Sequence, residues 1–140
     1  MSIDDRLGFL LKHVHQRLIE TAGPALLPYG IDGRELAVLT VLGGEVPLSQ
    51  QEAARELMID RTTMVAMVDA LEAKGLVLRR PDPADRRRNL VQPTDTGREV
   101  LSGATAARDA AEREFLAPLG PDGSREFRAA LRALLHAPPA

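Results

Sequence analysis

The stretch "DRTTMVAMVDALEAKGLVLRRPDPADRRRNLVQP", residues 60–93, decides the fold. Its two halves obey different periods. Asp60 stands where a helix cap would, and Met64, Met67, Val68 and Leu71 then fall on one helical face. Gly75 supplies the stop. Beyond it, "LVLRR" and "NLVQP" are short runs rich in branched residues, separated by a loop of prolines, aspartates and arginines. They read as two antiparallel strands of a hairpin with a long tip.

Working outward, residues 3–22 read as a helix, with Ile3, Leu7, Leu10, Leu11, Val14 and Leu18 in one stripe. Phe9 and Ile19 fall off that stripe, so this helix is expected to be covered on more than one side, by a second subunit. "GPALLPYG" (23–30) breaks it. Asp32 with Glu35, and Ser49 with Glu52, have capping-box spacing and open two further helices. After the hairpin, Thr94 caps a long helix over about 95–117, "PLGPDG" breaks it, and an amphipathic helix follows from Ser124. The expected fold class is mainly α with a small β-hairpin wing.

The chain of 140 residues is about one domain's worth, with 44% hydrophobic residues and only 3% aromatics. Its core must be built from aliphatic side chains. There is no cysteine, which excludes disulfides, thiolate metal sites and thiol redox sensing. No apolar run approaches a membrane span, and the two aspartates near the N-terminus do not resemble a secretory signal. A soluble, cytoplasmic location is the expectation. The net charge is −2, but it is unevenly spread. Residues 74–92 carry Lys74, Arg79, Arg80, Arg86, Arg87 and Arg88 against Asp82 and Asp85, six cations against two carboxylates. That segment is therefore +4 and the rest of the chain −6.

Two helices joined by a tight turn and followed by a β-hairpin make a winged helix-turn-helix. In that architecture the second helix enters the major groove of double-stranded DNA with its N-terminal residues at the base edges. Arg61, Thr62 and Thr63 suit that position, because a guanidinium forks onto guanine or phosphate and a hydroxyl reaches either. The hairpin tip would lie over the neighbouring minor groove, whose negative potential attracts arginine. Pro81 and Pro83 stiffen the tip. Asp82 and Asp85 are counterproductive on such a loop unless they orient arginines, which is the role expected of them.

From Asp60 to Leu101 the chain resembles the MarR (multiple antibiotic resistance regulator) family: the recognition helix, "LEAKGLV", the Asp-x-x-Asp-Arg-Arg wing and "T-x-x-G" stand in family order. The flanking helices fit the family plan across essentially the whole chain. The resemblance implies a homodimer, with a DNA-binding lobe over about 32–93 and a helical dimerisation lobe from 1–31 and 94–140. It implies binding to a pseudo-palindromic operator, usually repression, and in many members release by a small, often aromatic or phenolic, molecule. Carried onto this sequence, it puts Arg61, Thr62 and Thr63 at the DNA, and Ser49 and Gln50 at phosphates. Arg86 and Arg87 match the family's Asp-Arg-Arg element, with Arg87 chosen for the minor groove; Arg88 is an additional basic residue, and Lys74 completes the cationic set. Many members carry serine and arginine in mid-helix where this chain has Val65 and Ala66, so thymine-methyl contacts or DNA shape would carry more of the readout here.

Blander readings stand beside these. A charge run is usually a solvated turn, Asp60 reads as a cap alone, Asp69 and Glu72 lie on solvent or pair with arginines and receive no further role, and Met58, Met64 and Met67 read as core filling. His13 and His15 are two apart, so on a helix they point about 200° away from each other and cannot share a metal ion. No metal and no cofactor are expected. The resemblance places an effector pocket near the first helix, which makes His13 or His15 a candidate to hydrogen-bond an anionic ligand. No nucleophile–base pair or phosphate-binding glycine loop suggests an enzyme. The competing function is a winged-helix module that binds a protein or RNA; loss of Arg61 and the tip arginines would leave that partner bound.

Overall fold

The computed structural model describes residues 1–140. Six helices and a three-stranded sheet make up the chain: α1 (Leu7–Ala22), α2 (Gly33–Leu42), β1 (Leu48–Ser49), α3 (Gln50–Leu57), α4 (Arg61–Ala73), β2 (Val77–Pro81), β3 (Asn89–Pro93), α5 (Asp95–Leu116) and α6 (Gly120–Leu135). Short 3-10 turns lie at Ile3–Asp5, Gly23–Tyr29 and Ala117–Leu119. The result is the mainly helical, winged helix-turn-helix architecture expected, and no helix is long and apolar enough to cross a membrane.

The caps explain where the helices begin. Asp32 and Glu35 exchange both bonds of a capping box at α2, and Ser49 and Glu52 do the same at α3. Asp60 caps α4 by accepting from the Thr63 N–H at 3.0 Å. At α5 the Thr94 hydroxyl accepts from the Gly97 N–H and donates to the Gly75 carbonyl, fastening the helix to the root of the wing.

Four details differ from expectation. The first helix starts at Leu7 and not at residue 3, because Arg6 is extended (φ −82°, ψ 122°) and leaves Ile3–Asp5 as a separate 3-10 turn. The sheet has a third strand: β3 is central, pairing with β2 (Val77↔Pro93 to Pro81↔Asn89) and with the two-residue β1 (Leu48↔Val91, Ser49↔Leu90), all antiparallel. The last helix begins at Gly120 and not Ser124, because Pro121 is at a helix start, where its missing N–H costs nothing. Met58 is not core filling; it is 66% exposed and takes the left-handed conformation (φ 56°) that ends α3 and turns the chain toward α4.

The chain forms two compact units, residues 23–108 and residues 1–22 with 109–140. The first has a closed aliphatic core, with Leu26, Val38, Leu39, Leu42, Met64, Val68, Leu71, Val77 and Val91 fully buried. Met64, Val68 and Leu71 are three of the four residues expected on the inner face of α4. In the second unit only Ala22 is buried, while Leu7, Leu11 and Ile19 of α1 and Leu134 and Leu135 of α6 stay about half exposed or more. Such a set of apolar side chains on two amphipathic helices lacks a cover within this unit.

Candidate nucleic-acid interface

The candidate interface is built from the first residues of α3 and α4 and from the wing. Arg61 and Thr62 are exposed at the start of α4, followed on the outer side by half-buried Val65 and exposed Ala66. Thr63 is less free than the sequence suggests, since its hydroxyl donates to Asp60 as part of the cap. That bond, ahead of the Thr63 N–H, holds the Asp60 carboxyl below its ordinary range. Ser49 is 5% exposed and its oxygen is committed to the α3 cap. Gln50 beside it is half buried.

The wing tip is a closed turn. The Asp82 N–H donates to the Arg88 carbonyl, and the Asp85 and Arg88 N–H groups donate to the Asp82 and Asp85 carbonyls. Each aspartate also caps the turn with its side chain, Asp82 accepting from the Ala84 N–H and Asp85 from the Arg87 N–H. The carboxylates then reach arginines. Asp85 holds the Arg87 Nε at 3.1 Å, a bond that lowers the Asp85 pKa, yet the Arg87 side chain stays 92% exposed. Arg88 is held more firmly, at 2.6 Å from Glu52 and 3.7 Å from Asp82. Glu52 is below the ordinary carboxylate range chiefly because it accepts the Ser49 N–H, then the Ser49 hydroxyl, with Arg88 adding to both. Arg88 thus ties the wing to the N-terminus of α3. Arg86 is exposed and has no partner.

Between these elements lies a cleft of about 250 Å³. Ser49, Gln50 and Gln51 line it at the start of α3, Arg61 from α4, and Arg87, Arg88 and Asn89 from the wing. Three arginines from two elements, Arg61 of α4 and Arg87 and Arg88 of the wing, therefore line one concave polar surface.

Lys74 does not join them. It follows α4 at the opposite end from Arg61, about 20 Å away along a 13-residue helix. Its ammonium donates to Glu35 at 2.7 Å and to the Gly30 carbonyl at 2.9 Å. That clamp binds α4 to the start of α2.

Sequence reasoning missed Arg79. Its guanidinium, 19% exposed, donates to Gln50, Glu72 and Asp69. The signal was the pair of acids three residues apart on the very helix expected to meet a polyanion: pairing with arginines was one expectation for them, and the structure identifies the partner as Arg79.

His13 and His15 also separate. The His13 ring stacks on Phe9 at 4.0 Å and its Nδ1 lies 2.8 Å from the Phe9 carbonyl, so it is engaged within its own helix. His15 lines a pocket of about 260 Å³ in the second unit. Leu11, Val14, Phe115 and Phe127 give it apolar walls, and Arg128, paired with Glu112 at 3.1 Å, stands at its edge.

The element order, the capped second helix and the arginine-tipped hairpin define a winged helix-turn-helix protein. Comparison with known proteins narrows that class. The profile of the MarR family matches residues 29–88. Transcriptional regulator HosA of Escherichia coli O111:H- is 28% identical over 103 residues, 74% of this chain and 76% of HosA. A MarR-family transcriptional regulator from Rhodococcus sp. RHA1 superposes with a TM-score of 0.88 at 28% identity, covering 100% of this chain and 99% of that one. The repressor CouR, solved bound to a 23-mer DNA duplex, gives 0.91 at 30% identity over 96% of this chain and 95% of its own. CouR from Rhodococcus jostii RHA1, bound to p-coumaroyl-CoA, gives 0.83 at 29% identity over 100% and 99%. The chain belongs to the MarR family. It spans between 58% and 76% of the length of four curated relatives that it matches.

Proposed function

We propose that this protein is a dimeric, sequence-specific regulator of transcription that binds double-stranded DNA and represses from a pseudo-palindromic operator. The observation that carries the reading is the convergence of Arg61, Arg87 and Arg88 on one cleft beside the exposed start of α4. Arg61 and Thr62 would meet base edges or phosphates, Val65 and Ala66 thymine methyls, and Arg86 and Arg87 the minor groove. Asp85 supports Arg87 as the inserted residue, because it directs that guanidinium without burying it. Ser49 and Lys74 leave the contact set and become structural residues. Dimerisation rests on the uncovered apolar side chains of residues 1–22 and 109–140, and two recognition helices about 34–36 Å apart would then read one face of the duplex.

An apolar or aromatic anion is the proposed effector, seated against His15 and Arg128 in the pocket of the second unit; the p-coumaroyl-CoA complex of CouR supports a ligand of that character. It acts only if it prefers one arrangement of the dimer over another.

The test is fluorescence anisotropy on random and selected duplexes across a salt series. One dimer per pseudo-palindrome is expected, with a salt slope that counts the phosphates contacted. Arg61→Ala should weaken binding and lower the slope by about one if Arg61 meets a phosphate. Uniformly weak binding that is unchanged by Arg61→Ala and Arg87→Ala would favour a protein or RNA partner.

A further inference from the structure

Arg79 is the most heavily committed side chain of the DNA-binding unit. Its Nε donates to Gln50 Oε1 at 2.7 Å, Nη1 to Glu72 Oε1 at 2.9 Å and Nη2 to Asp69 Oδ1 at 2.6 Å, with the Val65 carbonyl at 3.5 Å. Its backbone N–H donates to the second oxygen of Glu72 at 3.4 Å. One residue of β2 therefore grips the first residue of α3 and three positions along α4. The rigid fork of a guanidinium does this; a lysine ammonium has one donor centre and cannot span the same three partners.

The bond to Gln50 has a chemical corollary. A guanidinium has donors and no acceptor, so the atom that Gln50 turns toward it must be its carbonyl oxygen. Gln50 also lines the arginine cleft. With one lone pair of the carbonyl engaged by Arg79, the amide NH₂ carries the two uncommitted donors. A free glutamine can grip adenine with donor and acceptor together. This one has its oxygen turned to Arg79, so a bidentate grip on adenine would have to share that oxygen with the guanidinium.

We propose that Arg79 is a positioning residue of the DNA site, acting through Gln50: it fixes Gln50 as a donor, and the donor meets a backbone phosphate oxygen held in the cleft with Arg61 and Arg88. The inference rests on the DNA-binding reading above. The family resemblance already puts Gln50 at phosphate; what is added is the residue that sets its orientation, and a purpose for Asp69 and Glu72, which is to hold the guanidinium that holds Gln50.

The test uses the full chain and the selected duplex, with anisotropy and thermal melting run on each variant. Gln50→Glu keeps an acceptor for Arg79, so its melting temperature should equal or exceed that of the starting protein. It faces phosphate with a carboxylate, and its DNA affinity should fall more than tenfold. Gln50→Leu should lose about tenfold, the scale of one hydrogen bond to a charged group, and equally on matched and mismatched duplexes. In an Arg79→Lys background Gln50 is no longer fixed, so the further loss caused by Gln50→Leu should shrink to about twofold or less. A structural role alone would let the two fold-changes multiply. Multiplicative losses, a Gln50→Glu protein that binds normally, or a Gln50→Leu loss confined to one base position would each overturn the proposal while leaving DNA binding intact. If the unaltered protein binds no duplex, both this proposal and the function it rests on fail.

Discussion

Replacing Gly97 with alanine should damage this fold more than any surface change. Gly97 is in the first turn of α5, against the root of the wing, and a Cβ built there would be 2.0 Å from the Leu76 carbonyl oxygen and 2.9 Å from its carbon. An ordinary carbon–oxygen contact is about 3.3 Å, so more than 1 Å must be found. The obstacle is backbone and cannot rotate aside. The same carbonyl accepts the Thr94 N–H at 3.0 Å, so displacing it strains that bond as well. Overpacking of this kind costs about 2 kcal/mol, and a weakened buried hydrogen bond about 2 more. The better helix propensity of alanine returns about 1. The net loss is about 3 kcal/mol, which for a chain of this size lowers the melting temperature by about 10 °C. The control is Gly8→Ala in α1, where no atom lies within 4 Å of the added carbon and the melting temperature should hold or rise slightly. Both melts must be run at one protein concentration, since association shifts the midpoint. A Gly97→Ala loss under about 3 °C would mean that the helix re-seats cheaply and that the contact does not hold α5 to the wing.

Two further outcomes follow from caps and exposed faces. The Asp60 carboxyl is held below its ordinary pKa by Thr63, so the stability it contributes is complete above about pH 4 and is lost as pH falls through the lower folded value; Asp60→Asn caps without ionising, so its melting temperature should drop less between pH 6 and pH 3 than that of the starting protein, and an equal drop would exclude the Asp60 carboxylate as an acid-labile element. Leu131→Glu with Leu134→Glu places two charges on the exposed apolar side of α6 and should convert the proposed dimer to monomer by light scattering, with more than tenfold weaker operator binding; an unchanged dimer mass would remove α6 from the interface.

What was legible in the sequence was local. The Asp32–Glu35 and Ser49–Glu52 boxes and the Asp60 and Thr94 caps depend on residues within three of one another, and each is in place. The Asp85–Arg87 pair is likewise a contact between neighbours two apart. The failures needed tertiary proximity. Arg79 meets Gln50 across 29 residues and Lys74 meets Glu35 across 39. Neither distance has a period to betray it. Lys74 and Arg79 therefore read only as cations of a basic segment, whereas Lys74 bonds Glu35 and Gly30 and Arg79 bonds Gln50, Asp69 and Glu72. β1 is two residues long, too short to show alternation. "GPDG" carries breaker residues, yet here they open a helix, because proline is penalised inside a helix and not at its start.

The same contacts explain how a chain of net charge −2 can offer a surface to a polyanion. At physiological ionic strength exposed charges more than about 8 Å apart are largely screened from each other, so the acidic remainder of the chain does not oppose approach at the cleft. Only nearby carboxylates count, and these are occupied. Asp69 and Glu72 are spent on Arg79, Glu52 and Asp82 on Arg88, and Asp85 on Arg87. Arg61, Arg80 and Arg86 have no such partner and remain exposed. Pairing neutralises part of the basic charge, but it also fixes where the guanidinium groups point, and a fixed donor loses less conformational entropy when it meets its acceptor. The carboxylates beside the wing are therefore better understood as the supports of the cationic site than as its opposition. Sequence isoelectric point, which counts every charge equally, is the wrong quantity for such a protein; the charge within one screening length of the cleft is the right one.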